Sequence, residues 1–398
     1  MTTPRPVWAY SLSAALLLMA PFDVLASLAM DIYLPVVPFM PEFLGTTPAM
    51  IQLSLSLYMV MLGAGQVIFG PLSDRIGRRP VLLGGTLLFI VSSIGAACAT
   101  DGTFFVLFRF TQSCGASAAL VATFATVRDV YANRPEGAVI YGSFSSILAF
   151  VPALGPLIGV VINMAFGWRA IFFSLAIMAS AAFVHALFRW HETAPAPVSQ
   201  KTPSILPIFL SPQFWVYTLG FSTAMGSFFV FFSTAPRVLM EQAGYSPTVF
   251  SICFATVAIV MVITTRFVKN IIGRWGISGS LTRGMLLIIS GALLLLVGEF
   301  YATPSFISFI LPMWVIAVGI VFTGAVTANG ALAKFDAIAG SAVAFYFCVQ
   351  SLIVSIVGTL AVIHLNGDTA WPVITYASGM AFIVLSGQFL VRFKKEKN

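Results

Sequence analysis

Two ionisable side chains, Asp23 and Arg109, lie deep inside long apolar stretches of the sequence, and a third, Asp31, lies near the end of the first stretch. A charge in such a setting is costly unless it is paired, hydrated or used, so each is a functional candidate. A carboxyl group in apolar surroundings keeps its proton more readily, and a guanidinium beside it favours release. An acid and an arginine placed together can therefore exchange a proton as their surroundings change. Depth arithmetic allows the pair. Asp23 lies about 21 Å from the inner end of its stretch and Arg109 about 9 Å from the outer end of its own, at 1.5 Å per helical residue. Across about 30 Å of hydrocarbon they share a level. A static ion pair between packed helices is the plainer alternative. Asp31 follows Asp23 by about two turns plus 80°. It is either a second protonation site or a group that ends the helix before Pro35 or contacts a gate.

Other residues line rather than react. Tyr58, Phe228, Phe231, Tyr346 and Gln350 are candidate walls of an apolar cavity with few polar groups. Phe228, Phe229, Phe231 and Phe232 cannot all face one side at 100° per residue. No nucleophile–base arrangement, metal-ligand cluster or phosphate-cradling loop stands in the sequence. An enzyme is not expected, nor a metal or other cofactor, and the energy source is expected to be an ion gradient.

The elements that must hold these groups follow from composition. Hydrophobic residues make up 59% and charged residues 8% of the 398 residues, against about 25% charged in soluble domains. Apolar runs of roughly 20 residues recur without strand-like alternation, which predicts membrane-crossing helices rather than a β-barrel. Twelve are expected, near 9–31, 50–70, 80–100, 103–127, 138–162 and 166–188, then 212–234, 246–269, 279–299, 304–327, 338–361 and 370–391. A polar stretch from His191 to Ser204 separates the sets. The expected organisation is an N-terminal six-helix bundle (1–190), a cytoplasmic linker (191–208) and a C-terminal six-helix bundle (209–398). With both termini cytoplasmic, every Lys and Arg of the 20 except Arg109, Arg169 and Arg237 falls on the inner side, as the positive-inside rule asks. The net charge of +7 then faces an anionic leaflet, and a nucleic-acid partner is not expected. The first apolar run lacks a small-x-small cleavage site and reads as a span, not a removable signal. The four cysteines fall inside apolar runs and read as packing residues.

The most specific motif is Gly70-Pro71-Leu72-Ser73-Asp74-Arg75-Ile76-Gly77-Arg78-Arg79-Pro80, between the second and third runs. Two glycines permit a tight turn, the arginines anchor the inner side, and Asp74 can cap or pair. This string resembles the signature loop of the major facilitator superfamily. Arg109-Phe110-Thr111-Gln112-Ser113-Cys114-Gly115 looks like the buried-arginine motif of its drug:proton antiporters. Pro152-Ala153-Leu154-Gly155-Pro156-Leu157-Ile158-Gly159 is similar to the fifth-helix motif of antiporters, with Val160 where a second glycine is common. Asp31-Ile32-Tyr33-Leu34-Pro35 resembles the bicyclomycin and chloramphenicol exporter subgroup. Stretches at 121–132, 229–236 and 344–348 look closest to chloramphenicol/florfenicol exporters.

The resemblance implies two six-helix bundles in the inner membrane of a bacterium, a monomer working by alternating access, and proton-coupled export of phenicols that confers resistance. It implies that Gly70, Asp74, Arg75, Gly77, Arg78, Arg79, Arg128 and Asp129 belong to a network closing the cytoplasmic side. It also makes Pro152, Gly155, Pro156 and Gly159 a helix-five hinge, and Asp23, Arg109 and Asp31 the coupling groups. A broader multidrug or metabolite exporter on the same scaffold is the rival expectation.

Overall fold

Ser or Thr followed by Pro opens three of the long helices. Thr47-Pro48, Ser211-Pro212 and Ser246-Pro247 each offer a side-chain oxygen to a backbone N–H of the first turn, and proline fills the position where no N–H is needed. The structure, a computed structural model, describes Trp8 and residues 10–131, 135–194, 206–335 and 339–396. Its long helices are α1 (Leu12–Asp31), α2 (Pro48–Ile76), α3 (Arg78–Cys98), α4 (Gly102–Tyr131), α5 (Pro135–Phe166) and α6 (Trp168–Arg189). They continue with α7 (Pro212–Pro236), α8 (Pro247–Thr265), α9 (Val268–Tyr301), α10 (Leu311–Leu332), α11 (Ala339–His364) and α12 (Trp371–Glu396). Among the described residues, 11 helices are long and apolar enough to cross a membrane, and the apolar part described in α5, Phe150–Phe166, is shorter. Large apolar side chains such as Val91, Phe166, Phe188 and Phe382 stand exposed on their outer faces. Water does not tolerate such a surface but lipid does, and helices satisfy their own backbone there. This is a multi-pass membrane protein.

Packing repeats with an offset of six helices. α1 packs on α4, α5 and α6 as α7 packs on α10, α11 and α12; α3 joins α4 and α6 as α9 joins α10 and α12; α2 lies on α4 as α8 lies on α10. Close approach repeats too. Gly85 and Gly115 each leave room for the other's helix where α3 meets α4, and Gly284 and Gly319 do so where α9 meets α10. Two further seams, α2 with α11 and α5 with α8, join the first six helices to the last six.

At the end opposite the basic turns these two sets close on each other. The 3₁₀ turn Leu34–Phe39 packs against α7, α8 and the π-helical turn Arg237–Gln242. Gln52 Nε2 donates to Ser233 Oγ at 3.1 Å across the same region.

Several expected boundaries shift. α2 runs to Ile76, so Gly70 is helical and only Gly77, with φ of 104°, makes the turn. The stretch expected as a loop before residue 279 is the first part of α9, kinked at Gly276 (φ 64°). Hydropathy marks the lipid-facing length of a helix, whereas the helix itself extends into the polar zone. Much of the 191–208 linker, residues 195–205, lies outside the described residues, and Leu206–Phe209 forms a short helix.

Candidate functional site

Arg109 is 0% exposed and lies between aromatic faces. Its guanidinium carbon sits 4.6 Å from the ring centre of Tyr33, 4.5 Å from that of Tyr58 and 5.8 Å from that of Phe172. Ring faces are electron-rich, so they stabilise a cation that water no longer reaches. Nη1 donates to Gln112 Oε1, one turn along α4, and Gln112 Nε2 donates to Ser93 Oγ at 2.7 Å. The rings are themselves anchored: Tyr58 OH donates to the Ala26 carbonyl at 2.8 Å, and Tyr33 OH pairs with Ser54 Oγ at 3.0 Å. Arg109 Nε and Nη2 remain buried without a hydrogen-bond partner. That leaves a guanidinium edge able to bind an acceptor.

Asp23 is 1% exposed and its Oδ2 is likewise unpartnered. Among the described residues Asp23 and Arg109 form no ion pair, so the pairing allowed by depth arithmetic is not made here. The physical reason is side-chain direction. A helical side chain leans toward its helix N-terminus; α4 starts at the closed end and α1 at the basic end, so the two side chains lean apart. Arg109 instead faces the ring of Tyr33, two residues past the end of α1, and that helix end lies about 12 Å beyond Asp23 at 1.5 Å per residue. Asp31 stands two residues before Tyr33, whose ring faces the Arg109 guanidinium.

The fifth-helix glycines explain where Asp31 sits. A Cβ on Gly155 would lie 2.8 Å from the Asp31 Cβ, and one on Gly159 would overlap the Ile32 carbonyl oxygen. Pro152 and Pro156 lie inside the same continuous helix. The segment read as a hinge is thus the place where α5 meets the end of α1.

The basic turn is built around Arg78, which is 1% exposed. Its Nε donates to Asp129 Oδ2 at 2.8 Å, and its Nη1 to Asp74 Oδ1 at 2.5 Å and Ser73 Oγ at 2.9 Å. Arg79 Nη2 donates to the Leu187 carbonyl at 2.8 Å. Arg75 is exposed, and among the described residues Arg128 pairs with Asp129 at 3.6 Å. A Cβ on Gly70 would meet nothing within 4 Å, and the Gly70 carbonyl accepts from Ser73 Oγ at 3.0 Å. Sequence reasoning missed Glu192, which it left in the linker. Gly77 has no side chain with which to cap α3, and Glu192 does so from a distance, accepting from Arg78 N at 2.8 Å and Arg79 N at 3.1 Å. Its part burial works to raise the carboxyl, but four backbone N–H groups, of Ala194, Arg78, Arg79 and Thr193, outweigh that and hold it below its ordinary value. A Glu opening a polar linker carries no local signal of this role.

The expected cavity walls divide. Phe231 is fully buried and stacks on Phe254 at 5.3 Å, inside the packing of α7 and α8, while Phe228 is half-buried beside it. Tyr346 donates to Thr327 Oγ1 at 3.0 Å and stacks on Phe221 at 5.3 Å, within a separate cluster that includes Phe214 and Phe335. Gln350 is buried on α11 near the α2 seam. All four cysteines are free, and Cys98 is exposed rather than packed.

Buried charge inside a doubled six-helix arrangement, together with the family match that follows, defines a membrane transporter. The chain belongs to the Major Facilitator Superfamily, which residues 22–359 match. It is 50% identical over 396 residues, 99% of this chain and 94% of the other, to a chloramphenicol resistance protein of Pseudomonas aeruginosa. It is 30% identical over 239 residues, 58% of each chain, to the multidrug resistance protein MdtL of Citrobacter koseri. Solved structures share the fold: a D-xylose-proton symporter at TM-score 0.74 and 15% identity, covering 94% of this chain and 97% of that one. A peptide transporter does so at TM-score 0.76 and 13% identity, covering 97% and 94%.

Proposed function

We propose that this protein exports phenicol antibiotics, chloramphenicol and florfenicol, across a bacterial inner membrane in exchange for protons, and so confers resistance. The observation that carries this reading is the 50% identity over 99% of the chain with a protein named for chloramphenicol resistance. In this reading α5 is the twelfth span, both termini are cytoplasmic, and residues 1–190 and 209–398 form two bundles joined by 191–208. Substrate binds between them and access alternates. Asp23 carries the proton and accepts from the drug, Arg109 offers its free edge, and Asp31 is a second acid on the outer route. The unpartnered Asp23 Oδ2 and Arg109 Nε and Nη2 support that assignment, since a buried polar atom without a partner is costly unless a ligand supplies one. The Arg78 network with Asp74 and Asp129 closes the cytoplasmic side when the carrier faces outward. Tyr58, Phe228, Phe231, Tyr346 and Gln350 remain the proposed surroundings of the drug, and the working unit is a monomer.

Labelled florfenicol and chloramphenicol accumulation in expressing cells tests this. Low accumulation that rises to the vector-only level on adding a protonophore is the expected result; export that persists without a proton gradient overturns the coupling. The likeness to MdtL favours a second reading, a broader drug exporter on this scaffold. It predicts resistance to cationic dyes as well as phenicols.

A further inference from the structure

We propose that Gln350 is the residue of the last six helices that donates a hydrogen bond to the transported drug, and that it selects neutral substrates bearing an acceptor oxygen. The inference rests on the export reading above. Its starting point is an amide out of keeping with its surroundings. Gln350 is 3% exposed. Its Oε1 accepts from Ser351 Oγ at 3.3 Å, while Nε2, with two N–H donors, has no partner. The other three buried glutamines all use theirs. Gln52 Nε2 donates to Ser233 Oγ, Gln112 Nε2 to Ser93 Oγ, and Gln388 Nε2 to the carbonyl and hydroxyl of Ser278. A glutamine kept for structure bonds at both ends; Gln350 keeps its donor end vacant.

The vacancy is held in place. A Cβ on Gly63 of α2 would overlap the Ser351 hydroxyl, so α11 is fixed tightly against α2 at this level. Ser351 in turn engages the Gln350 carbonyl and leaves the –NH₂ free to turn toward a ligand. Four residues beyond Ser351, on the same helical face, Ser355 Oγ is buried and unpartnered as well.

The level matches the groups on the other half. Tyr58 of α2 bonds the Ala26 carbonyl; Asp23 lies about 4.5 Å inward of Ala26, and Gly63 about 7.5 Å inward of Tyr58, at 1.5 Å per residue. Asp23 and Gln350 therefore stand within about one helical turn of the same depth. Together they offer an unpaired carboxylate oxygen from one half and an unpaired amide donor from the other. A molecule that reaches from α1 to α11 and carries both a hydroxyl or amide N–H and a carbonyl, nitro or sulfonyl oxygen satisfies both at once. A simple organic cation satisfies Asp23 alone and leaves the Gln350 donor buried and unbonded, which is a penalty against it.

The test uses full-length protein in lipid nanodiscs, with equilibrium binding of labelled chloramphenicol and a thermal unfolding midpoint for each variant. Gln350→Leu removes the donor, Gln350→Asn keeps an amide, and Gln350→Met replaces Leu if that variant fails to fold. The expected result is binding weakened about tenfold by Leu, with part of it regained by Asn, and an unfolding midpoint no lower than wild type, one hydrogen bond being worth about that factor. Wild-type affinity in the Leu or Met variant overturns the proposal. So does a loss of affinity that tracks a lowered midpoint, which marks Gln350 as structural. If wild type itself bound no chloramphenicol, the export reading would fail and this inference with it, a result distinct from both.

Discussion

At the residue scale the question is how an arginine survives where water does not reach. Arg109 answers with two tyrosine faces, a phenylalanine face and one hydrogen bond to Gln112. A desolvated cation–π contact is worth about 2 kcal/mol, and the planar guanidinium is what allows contact on several faces at once. Arg109→Lys keeps the charge but loses the plane and the fork, so export is expected to fall at least about tenfold while the protein is still made. Accumulation assays normalised to membrane protein level check this, and unchanged export would show that charge alone suffices. Tyr58→Phe separates packing from bonding: it keeps the ring under the cation and deletes the bond to the Ala26 carbonyl. It should cost about 1 kcal/mol of stability in thermal unfolding and leave most of the export. Asp23→Asn keeps the shape of a buried side chain whose Oδ2 is unpartnered and removes its proton chemistry. Cells carrying it should accumulate drug like cells without the transporter, and wild-type export against a gradient would rule Asp23 out as the proton carrier.

At the element scale two joints decide what the helices can do. Where α5 meets the end of α1, the obstacle to a Cβ on Gly159 is the backbone carbonyl of Ile32, whereas on Gly155 it is the side-chain Cβ of Asp31. Neither obstacle can rotate aside, since a Cβ is fixed to its backbone, but the overlap at Gly159 is the deeper of the two, so Gly159→Ala should damage export and thermal stability more than Gly155→Ala. Equal effects in the two variants would mean that α5 is free to move away as a whole. The second joint is the start of α3, capped by Glu192. Because its carboxyl sits below the ordinary value, the cap's contribution is present above the usual carboxylate range and fades only as pH falls through the lowered one. Neutral and mildly acid buffers should therefore leave it intact, whereas Glu192→Gln weakens it by about 1 kcal/mol, as expected of a helix cap near the surface. A thermal unfolding midpoint for that variant, taken at neutral pH, makes the check. These joints also show what the sequence could and could not reveal. Spans, basic turns and the Asp74, Arg78 and Asp129 group were legible, because hydropathy and short motifs are local. The Arg109 surroundings were not, because Tyr33, Tyr58 and Phe172 come from three distant segments and their rings look like any other aromatic in a chain with 37 Phe. Depth along Cα positions allows an Asp23–Arg109 pair, and the structure does not form it, because side chains on antiparallel helices lean in opposite directions.

At the scale of the whole molecule, the two seams between the first and last six helices are equivalent in position but not in chemistry. Between α5 and α8 the contact is small and apolar: Ala153 and Leu157 against Ala255 and Ala258. Between α2 and α11 it is polar, with Ser56 Oγ against Thr359 Oγ1 and Ser351 against Gly63, while Gln52 of α2 reaches Ser233 of α7 nearby. Hydroxyl pairs exchange readily for water, so a seam of this kind separates at small cost; a dry seam of small residues exposes apolar surface when it separates. Alternating access then requires the α2–α11 seam to part near the closed end in each cycle, with α5–α8 the more reluctant joint. Because Ser and Thr oxygens sit directly on Cβ, the contact between Ser56 and Thr359 places their Cβ atoms within reach of a disulfide. Ser56→Cys with Thr359→Cys, in a background where Cys98, Cys114, Cys253 and Cys348 are replaced, should cross-link under mild oxidation. Drug export should fall to the vector-only level and return on reduction, with each single cysteine variant unaffected. A cross-linked transporter that still exports at the wild-type rate would show that this seam stays shut throughout the cycle, and that access to the closed end must open elsewhere.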